Sequence, residues 1–501
     1  MKKIRLIIVF AFGIAILSCF LSNCMNVKGT PDFQNYPTDV GKLIFTKCST
    51  PGCHNDASKD AAGGLSMQSW DKLFEGGRNS ACVIPYRSDY STLCYFSNTY
   101  SDLGLSLSPT MPFNKPTLTH DEESLLKNWI DAGAPSSTGA IKFADNPNRK
   151  KFYVTNQNCD VVTVFDAATL LPMRYINIGN SPSIEYPHNI KVSPDGKYWY
   201  VVSTAGNSLQ KYRTSDDGFV GEAFINSSSP FVNGNWNTVT ISNDGNFAYV
   251  VDWENLGDIS IVNTNTLAPG TPNLGAFANP HGSCMNPTDP TGDTLYVTEN
   301  YTGSYKIYKI YCNAPDLSSY TEVPLSPIPV DLNTHEVLFS PDGSEYFVTC
   351  QGAIPEVKVL KTGTDQLLAT IPVGALPSEM SVSATHNLLF VSCEEDTLTF
   401  PGKTGSVYVI DISTNSWAST PYIYTGHQPH GLAVDDNTGL VYVANRNKSI
   451  GGPAPHHSGE CGGKDGYMTF IDMKTLTLLQ ANGSPKTVEV AVDPYSVAVR
   501  H

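Results

Sequence analysis

From about residue 140 to the C-terminus, apolar and polar residues alternate in short runs with a period of two, which predicts β-strands. The tract contains an internal repeat: a polar residue, an alternating strand, a turn that often contains Asp-Gly, and a second strand rich in Tyr, Phe and Val. The copies cover residues 188–202, 237–251, 281–298, 335–349, 379–392 and 430–444, and a further first strand follows at 495–500. Asp-Gly between alternating strands is a strong hairpin signal, and the pair is intact at Asp195-Gly196, Asp244-Gly245 and Asp342-Gly343.

These repeats predict a seven-bladed β-propeller over residues 146–501, with one four-stranded blade per repeat. The first strand at 495–500 has no second strand after it, whereas "KFYVT" at 151–155 supplies one at the other end of the tract. Pairing of both ends would close the ring and leave no long exposed strand edge. "YVTN" at 153–156 and the "SPDG" turns resemble the YVTN-type propellers of secreted bacterial proteins, and this resemblance implies a fold rather than an activity.

Residues 35–134 have a helical pattern, in which apolar residues recur every three or four positions. The clearest example is "TLTHDEESLLKNWIDAGAP", where Thr119 and Glu122 form a capping box and apolar residues line one side. We therefore predict a multidomain protein: a small all-α domain over 35–134, a linker over 135–145, and the all-β propeller.

Residues 1–23 have the pattern of a secretion signal, because basic residues precede the apolar run Leu6–Leu21. "LSNC" at 21–24 resembles a lipobox, which implies a lipid anchor on Cys24; "LSC" ending at Cys19 and an uncleaved anchor are the alternatives. We expect a cell-envelope protein, in the periplasm or at the outer membrane, that meets the membrane only through this anchor. The net charge of 32 − 47 = −15 disfavours nucleic acid as a partner.

The stretch "KCSTPGCHN" at 47–55 contains two cysteines with a histidine directly after the second. The common haem-attachment motif is Cys-x-x-Cys-His, whereas four residues separate Cys48 from Cys53 here, and His54 follows. Two thiols can join the two vinyl groups of a haem, and the adjacent imidazole can supply an axial nitrogen to iron. Taken alone, the stretch is equally compatible with a simple disulfide.

A sulfur donor follows in the right place, because Met111 begins a Met-Pro pair just before the capped helix. The order of widened Cys-x4-Cys-His motif, Met-Pro loop and amphipathic helix resembles the bacterial cytochrome c domains. This resemblance implies one covalent haem c, attached at Cys48 and Cys53, with His54 and Met111 as the axial ligands of the iron. His/Met ligation leaves no open position on the iron, so such a site carries single electrons.

Two other residues compete with Met111 as the sixth ligand of the haem iron, which is the axial ligand opposite His54. Met67 lies on an apolar helical stripe, where a methionine usually packs in the core, and His120 lies in the first turn of a helix that faces solvent. We expect Cys82 and Cys94 to form a disulfide within this region.

Alignment of the propeller repeats on their turns places one polar residue at the start of each innermost strand. These residues are His188, Asn237, His281, His335, Glu379, His430 and Tyr495. We predict that they form a collar around one mouth of the central channel. The histidines are either structural, bonded to loop backbone, or ligands of copper or zinc, since neutral imidazoles that converge on a channel suit these metals.

Further cysteines and histidines lie near the same mouth. The insertion at 445–466 carries His456, His457 and Cys461, which we interpret as a flexible loop rather than a metal site. Cys350 and Cys393 end neighbouring second strands, where they would either pair or pack as small apolar residues.

Three functions are compatible with this sequence. The first is an exported mono-haem c electron carrier whose propeller docks a redox partner protein or a small-molecule substrate. The second is an oxidoreductase with a metal centre at the channel mouth that uses the haem as a relay. The third is a surface binding or scaffold protein. Walker, Gly-x-Ser-x-Gly and His-Glu-x-x-His motifs are absent from the sequence.

Overall fold

The computed structural model describes residues 32–225, 234–254, 256–270, 274–289, 292–313, 316–455 and 461–500. The predicted secretion signal with Cys19 and Cys24 lies outside the described residues, as do His456 and His457. No helix in these ranges has both the length and the hydropathy that crossing a bilayer requires.

The described strands form a seven-bladed β-propeller, which confirms the predicted propeller. Blade 1 consists of Pro187–Val192, Tyr198–Ser203, Ser208–Arg213 and Phe219–Phe224, and blade 2 of Trp236–Ile241, Phe247–Asp252, Gly257–Asn263, Ala268–Pro269 and Leu274–Phe277. Blade 3 consists of Pro280–Met285, Thr294–Glu299, Lys306–Asn313 and Asp316–Pro324, and blade 4 of Thr334–Phe339, Glu345–Cys350, Glu356–Lys361 and Leu367–Pro372. Blade 5 consists of Pro377–Ser383, Leu388–Cys393, Ser406–Asp411 and Ser416–Ile423. Blade 6 consists of Pro429–Asp435, Leu440–Asn445, Asp465–Asp472, Thr477–Leu478 and Thr487–Val492. A small hairpin joins Gln480–Ala481 to Ser484–Pro485.

Blade 7 is assembled from both ends of the tract. Its innermost strand, Pro494–Arg500, pairs antiparallel with Lys151–Asn156, and Val161–Asp166 and Leu171–Asn177 complete the sheet. The ring therefore closes by strand pairing between residues that are far apart in sequence.

The Asp-Gly pairs turn the chain between the first and second strands of their blades. At the turn of blade 1, the Gly196 amide donates to the Ser193 carbonyl, and Gly196 has a φ of 69°, a left-handed conformation that glycine adopts without strain. The Ser193 hydroxyl bonds the Asp195 carboxylate at 2.7 Å. A Ser-Pro-Asp-Gly stretch is thus a turn with its own internal hydrogen bonds.

The core of the propeller lies between the faces of neighbouring blades. Phe152 stacks on Phe165 of its own blade at 4.3 Å between ring centroids, and on Tyr442 of blade 6 at 4.1 Å. In blade 1, Trp199 stacks on Tyr212 at 3.9 Å. The stack of Phe152 on Tyr442 joins two blades through residues of Tyr/Phe/Val-rich strands, so the sequence pattern builds a contact that holds adjacent sheets together; the other two stacks lie within one blade.

The region before the propeller contains short helices joined by loops. The described α-helices are α1 (Thr38–Leu43), α2 (Trp70–Leu73), α3 (Thr92–Ser97) and α4 (His120–Asp131), with a π-helical turn at Ile44–Cys48 and 3₁₀ turns at Lys59–Ala61, Ser88–Tyr90 and Ser101–Leu103. A further 3₁₀ turn, Gln157–Cys159, lies within blade 7 between its second and third strands. The capping box of α4 is confirmed: the Glu122 amide donates to the Thr119 hydroxyl at 3.2 Å, and the Thr119 amide donates to the Glu122 carboxylate at 2.8 Å. The apolar cluster of this region is continuous with propeller side chains such as Tyr153 and Trp199, so a separate all-α domain is not evident.

Candidate functional site

A β-bulge at the start of the innermost strands aims side chains into the channel. The pairing register shifts between Pro280 and Ser283 in blade 3, and at the matching point in blade 4. The backbone amide inside the bulge is satisfied by a hydroxyl on the second strand: Gly282 donates to Thr298 at 2.8 Å, and Glu336 donates to Thr349 at 2.9 Å. Because the bulge interrupts strict alternation, adjacent residues can both face the channel.

The structure brings the four predicted collar histidines together with Tyr495. Ring centroids lie 4.0 Å apart for His281 and His335, 3.7 Å for His430 and Tyr495, and 4.3 Å for His188 and Tyr495. Each of these side chains is buried. The collar is therefore a closed cluster of rings rather than a set of separate surface histidines.

Three of the histidines make the same hydrogen bond, to the backbone carbonyl group of the collar residue in the next blade around the ring. The Nδ1 atom of His188 lies 2.7 Å from the Asn237 carbonyl oxygen, that of His281 lies 3.1 Å from the His335 carbonyl, and that of His430 lies 3.2 Å from the Tyr495 carbonyl. A carbonyl only accepts, so Nδ1 carries the proton and Nε2 keeps its lone pair. These bonds account for one nitrogen of each ring and leave the other available.

Burial keeps the collar imidazoles neutral. It lowers the pKa of His281 to about 4, and it holds the pKa values of His188, His335 and His430 well below the ordinary value, with repulsion from neighbouring rings or from Arg446 adding to the effect. A neutral imidazole is the form that binds a metal ion.

The register corrects one predicted collar position. Pro377 pairs with Cys393 at the point where Thr334 pairs with Cys350, so Ser378 occupies the collar position in blade 5 and Glu379 lies one residue further on. The alignment that placed Glu379 in the collar was wrong by one residue, because blade 5 has neither an Asp-Gly turn nor a histidine at this point to fix it.

Glu379 instead shares the next layer of the channel with Glu336. Burial raises the pKa of both carboxyl groups; repulsion from Glu379 raises that of Glu336 further, and Lys191 opposes the rise at both. Two largely buried carboxyl groups therefore depend on one nearby ammonium group. Glu336 was not among the site residues predicted from the sequence.

His281, His335 and Glu336 form a group whose ligand atoms all lie within 4.8 Å of one another, and it is the one group of three or more such side chains found among the described residues. One imidazole nitrogen of His335, Nδ1, is buried without a hydrogen-bond partner. Imidazole and carboxylate donors together suit zinc or copper.

Arg446 adds a fixed positive charge beside the collar, and the sequence analysis also missed it. Its guanidinium lies 4.6 Å from the centre of the Tyr495 ring and pairs with Asp493 at 2.6 Å and Glu394 at 3.0 Å. Although burial opposes the charged form, these carboxylates raise the pKa of Arg446 above its ordinary value. Because Asp493 and Glu394 both pair with Arg446, its positive charge is balanced by these two carboxylates and does not compensate Glu336.

The second candidate site is the loop that carries the Cys-x4-Cys-His motif. The π-helical turn ends at Cys48, and the His54 amide donates to the Cys48 carbonyl at 3.2 Å, which closes the loop on itself. The Asn55 side-chain amide donates to the Thr50 carbonyl at 2.8 Å. Cys48 and Cys53 are both free thiols, and burial together with Cys53 raises the pKa of Cys48 to about 12.

His54 has the environment of a metal-binding imidazole. Burial lowers its pKa, and hydrogen bonding to the carbonyl groups of Leu65 and Ala62 partly opposes this effect. Its Nδ1 atom is buried without a hydrogen-bond partner. A ligating histidine commonly bonds a backbone carbonyl with one nitrogen and the metal with the other, so this arrangement fits an axial ligand.

The candidate sixth ligands have different surroundings. Met111 is half-buried, and its amide donates to the Phe96 carbonyl at 2.7 Å. Met67 is buried in the apolar cluster of this region. His120 is exposed, and its Nε2 lies 2.8 Å from the Asp102 carboxylate. Met67 and His120 are thus engaged elsewhere, as core and surface residues.

The cysteines pair differently from the predicted arrangement. Cys82 and Cys94 are buried free thiols, so the disulfide expected between them is absent; Cys350 and Cys393 are likewise free and packed in the core. Cys461 forms a disulfide with Cys159 across 302 residues, which ties the insertion at 445–466 to blade 7. The sequence contained no signal for this pairing, because connectivity depends on how the ring closes.

No protein-family model matches the sequence, and no curated protein is similar to it. Solved structures are similar in fold. Kuenenia stuttgartiensis hydrazine synthase is 18% identical, with a TM-score of 0.44 over 57% of this chain and 77% of that one. A functionally unknown protein from Desulfotomaculum acetoxidans is 12% identical, with a TM-score of 0.49 over 68% and 99%. A protein from Bacteroides uniformis, described as a "putative 6-phosphogluconolactonase", is 13% identical, with a TM-score of 0.50 over 70% and 99%.

The strand pairing defines the class: a seven-bladed β-propeller protein with a short helical region before the first blade. At such low identities, a shared fold carries no information about the activity.

Proposed function

We propose that the chain is an exported mono-haem c electron-transfer protein whose propeller binds a redox partner protein or a small-molecule substrate. The observation that carries the proposal is the buried, unpartnered Nδ1 of His54, directly after two free thiols on one self-closed loop. A disulfide would engage the two sulfur atoms only and would leave the buried Nδ1 of His54 without a partner. A haem would use all three groups.

Each residue of the loop has a part in this proposal. Cys48 and Cys53 hold the haem through thioether bonds, formed when each S–H adds across one vinyl group, and both are in the free state that this addition needs. His54 is oriented by the carbonyl groups of Leu65 and Ala62 and serves as the axial nitrogen ligand. Met111 would supply a thioether sulfur as the second protein ligand of the iron. Iron held by histidine and methionine exchanges single electrons at a raised potential.

The propeller provides the recognition surface in this proposal. Exposed aromatic side chains lie on loops at the collar end of the channel: Tyr186 precedes the first collar histidine, and the ring of Trp253 lies 6.4 Å from that of His281. Aromatic residues are enriched at protein interfaces relative to the rest of the surface. Export is supported by the Cys159–Cys461 disulfide, which needs an oxidising compartment, and we assign the anchor to Cys24 and the location to the cell envelope.

The experiment is expression of the full chain in a host with a working cytochrome c assembly system. We expect covalent haem staining and a haem c spectrum, both lost in Cys48→Ser/Cys53→Ser. The matched control is Cys82→Ser/Cys94→Ser, which changes two cysteines of the same region and should keep the haem. A colourless wild-type chain of unmodified mass would refute the proposal.

A second measurement identifies the sixth ligand. Met111→Leu should lower the reduction potential and remove the methionine–iron charge-transfer band, because the sulfur donor is lost. Met67→Leu should leave both unchanged. Loss of the band in Met67→Leu alone would reassign the ligand.

A further inference from the structure

We infer that the collar holds one divalent transition-metal ion, of the zinc or copper class, bound by His281, His335 and Glu336. This site lies in the propeller channel and is independent of the haem proposed for the N-terminal region. The inference rests on geometry: the position of the donors, the hydrogen bonds that leave a ligand atom free on each, and their burial beside a second carboxyl group.

The donors are close enough to share an ion. Their ligand atoms lie within 4.8 Å of one another, whereas the ligands of a tetrahedral zinc ion lie about 3.4 Å apart. Small side-chain rotations would close this gap. The imidazole rings of His281 and His335 are already 4.0 Å apart, and the bulges described above fix the backbone of both strands.

Each donor has a free lone pair. The Nδ1 of His281 bonds the His335 carbonyl, which leaves its Nε2 for the metal. His335 is 7% exposed and has a buried Nδ1 without a partner. Glu336 accepts the Val337 amide at Oε1, at 3.2 Å, so its second oxygen remains available. The backbone bond of His281 is the kind of support that orients a metal-binding histidine.

The charge balance favours a cation at this point. Glu336 and Glu379 are both largely buried, and Lys191 is the cation that acts on both. Arg446 is neutralised by Asp493 and Glu394. Two buried carboxyl side chains beside a single lysine are a favourable environment for a divalent ion, which would take the place of the proton that a buried carboxyl group otherwise keeps. A purely structural role for the collar histidines would account for their Nδ1 hydrogen bonds to backbone carbonyl groups. It would not account for the buried carboxyl group of Glu336.

Two histidines and one glutamate leave a fourth position on a tetrahedral ion. Zinc sites with three protein ligands keep this position for water or a substrate atom, whereas structural zinc sites are closed by four. The open position would lie inside the ring formed by His188, His430 and Tyr495.

The test uses the full chain, stripped with a chelator and then titrated with Zn²⁺ by calorimetry, with zinc and iron quantified separately by mass spectrometry. We expect one zinc per chain. His281→Ala/His335→Ala should lose it, and Glu336→Gln should weaken zinc binding at least 10-fold. Loss of a residue that only supports a metal ligand typically costs about 10-fold or more in metal affinity, so loss of a ligand should cost no less. Glu336→Gln keeps the shape and removes a buried charge, so the variant should stay folded.

Three controls separate this site from other binders. His386→Ala changes an exposed histidine near a turn, and His456→Ala/His457→Ala removes the histidine pair of the insertion; both should keep the zinc. Cys48→Ser/Cys53→Ser should lose iron and keep zinc. Wild-type affinity in folded Glu336→Gln and His281→Ala/His335→Ala, loss of zinc in the insertion variant, or a zinc absorption edge showing sulfur ligands would overturn the inference.

Discussion

Replacement of Asp217 by Asn tests the buried ion pair at the junction where the ring closes. The Lys151 ammonium lies 2.7 Å from Asp217 and 2.8 Å from the Thr214 carbonyl, and the paired side chains are only 2% and 1% exposed. Lys151 begins the strand that pairs with the C-terminal strand of the propeller. Asn is the appropriate replacement because residue 217 has a φ of 60°, a left-handed conformation that Asn tolerates and most other residues do not.

The magnitude follows from burial. Removing one partner of a buried ion pair costs about 3–5 kcal/mol, because the remaining charge is left without compensation. The neighbouring pair of Asp216 and Arg213 is a matched control, since these side chains are 58% and 46% exposed and such pairs contribute at most about 1 kcal/mol. Asp217→Asn should therefore cost at least about 2 kcal/mol more than Asp216→Asn, a factor of about 30 in the unfolding equilibrium.

The assay is urea-induced unfolding followed by circular dichroism and tryptophan fluorescence. We expect a midpoint about 1 M lower for Asp217→Asn and a nearly unchanged midpoint for Asp216→Asn. Adding Lys151→Met to Asp217→Asn should recover part of the loss, because it removes the stranded ammonium. Equal midpoints for the two single variants would refute the reasoning.

Three further changes test the disulfide, the packing of the channel and the bulge. Cys159→Ser/Cys461→Ser should lower stability by about 2–5 kcal/mol because a loop of 302 residues is no longer closed, and a midpoint insensitive to reductant in the wild type would contradict this. Gly282→Ala places a Cβ 2.5 Å from a backbone oxygen of the next blade, so the melting temperature should fall and zinc retention should weaken; wild-type values for both would be the contrary result. Thr349→Val leaves the buried Glu336 amide unsatisfied, which should cost about 1–3 kcal/mol in urea unfolding, and an unchanged midpoint would show that water replaces the hydroxyl.

The collar histidines could be found from sequence because the repeat fixes their position. Each follows the end of a loop and begins the innermost strand, and intact Asp-Gly turns set the alignment in blades 1, 2 and 4. Blade 5 lacks Asp-Gly, and there the alignment slipped by one residue, from Ser378 to Glu379. In a strand a slip of one residue exchanges the faces, so a single missing turn signal is enough to misplace a side chain.

Glu336 was missed for a physical reason. It directly follows His335, and strict alternation would send the two side chains to opposite faces of the sheet. The bulge at this position, with Thr349 bonded to the Glu336 amide, relaxes the alternation and lets neighbours face the same channel. Local sequence patterns do not encode such a bulge. The Cys159–Cys461 disulfide escaped prediction similarly, since it depends on the closed ring.

The helical region covers an edge that the propeller would otherwise expose. The strand Leu171–Asn177 is the outermost strand of blade 7, and an outer strand presents unpaired carbonyl groups to solvent. Arg87 donates to the Tyr175 carbonyl at 2.7 Å, and Tyr90 stacks on the Tyr175 ring at 4.2 Å. The guanidinium therefore satisfies an edge acceptor while the rings exclude water. Because these contacts involve none of the proposed haem ligands, the region would remain packed on the blade that closes the ring whether or not the haem is bound.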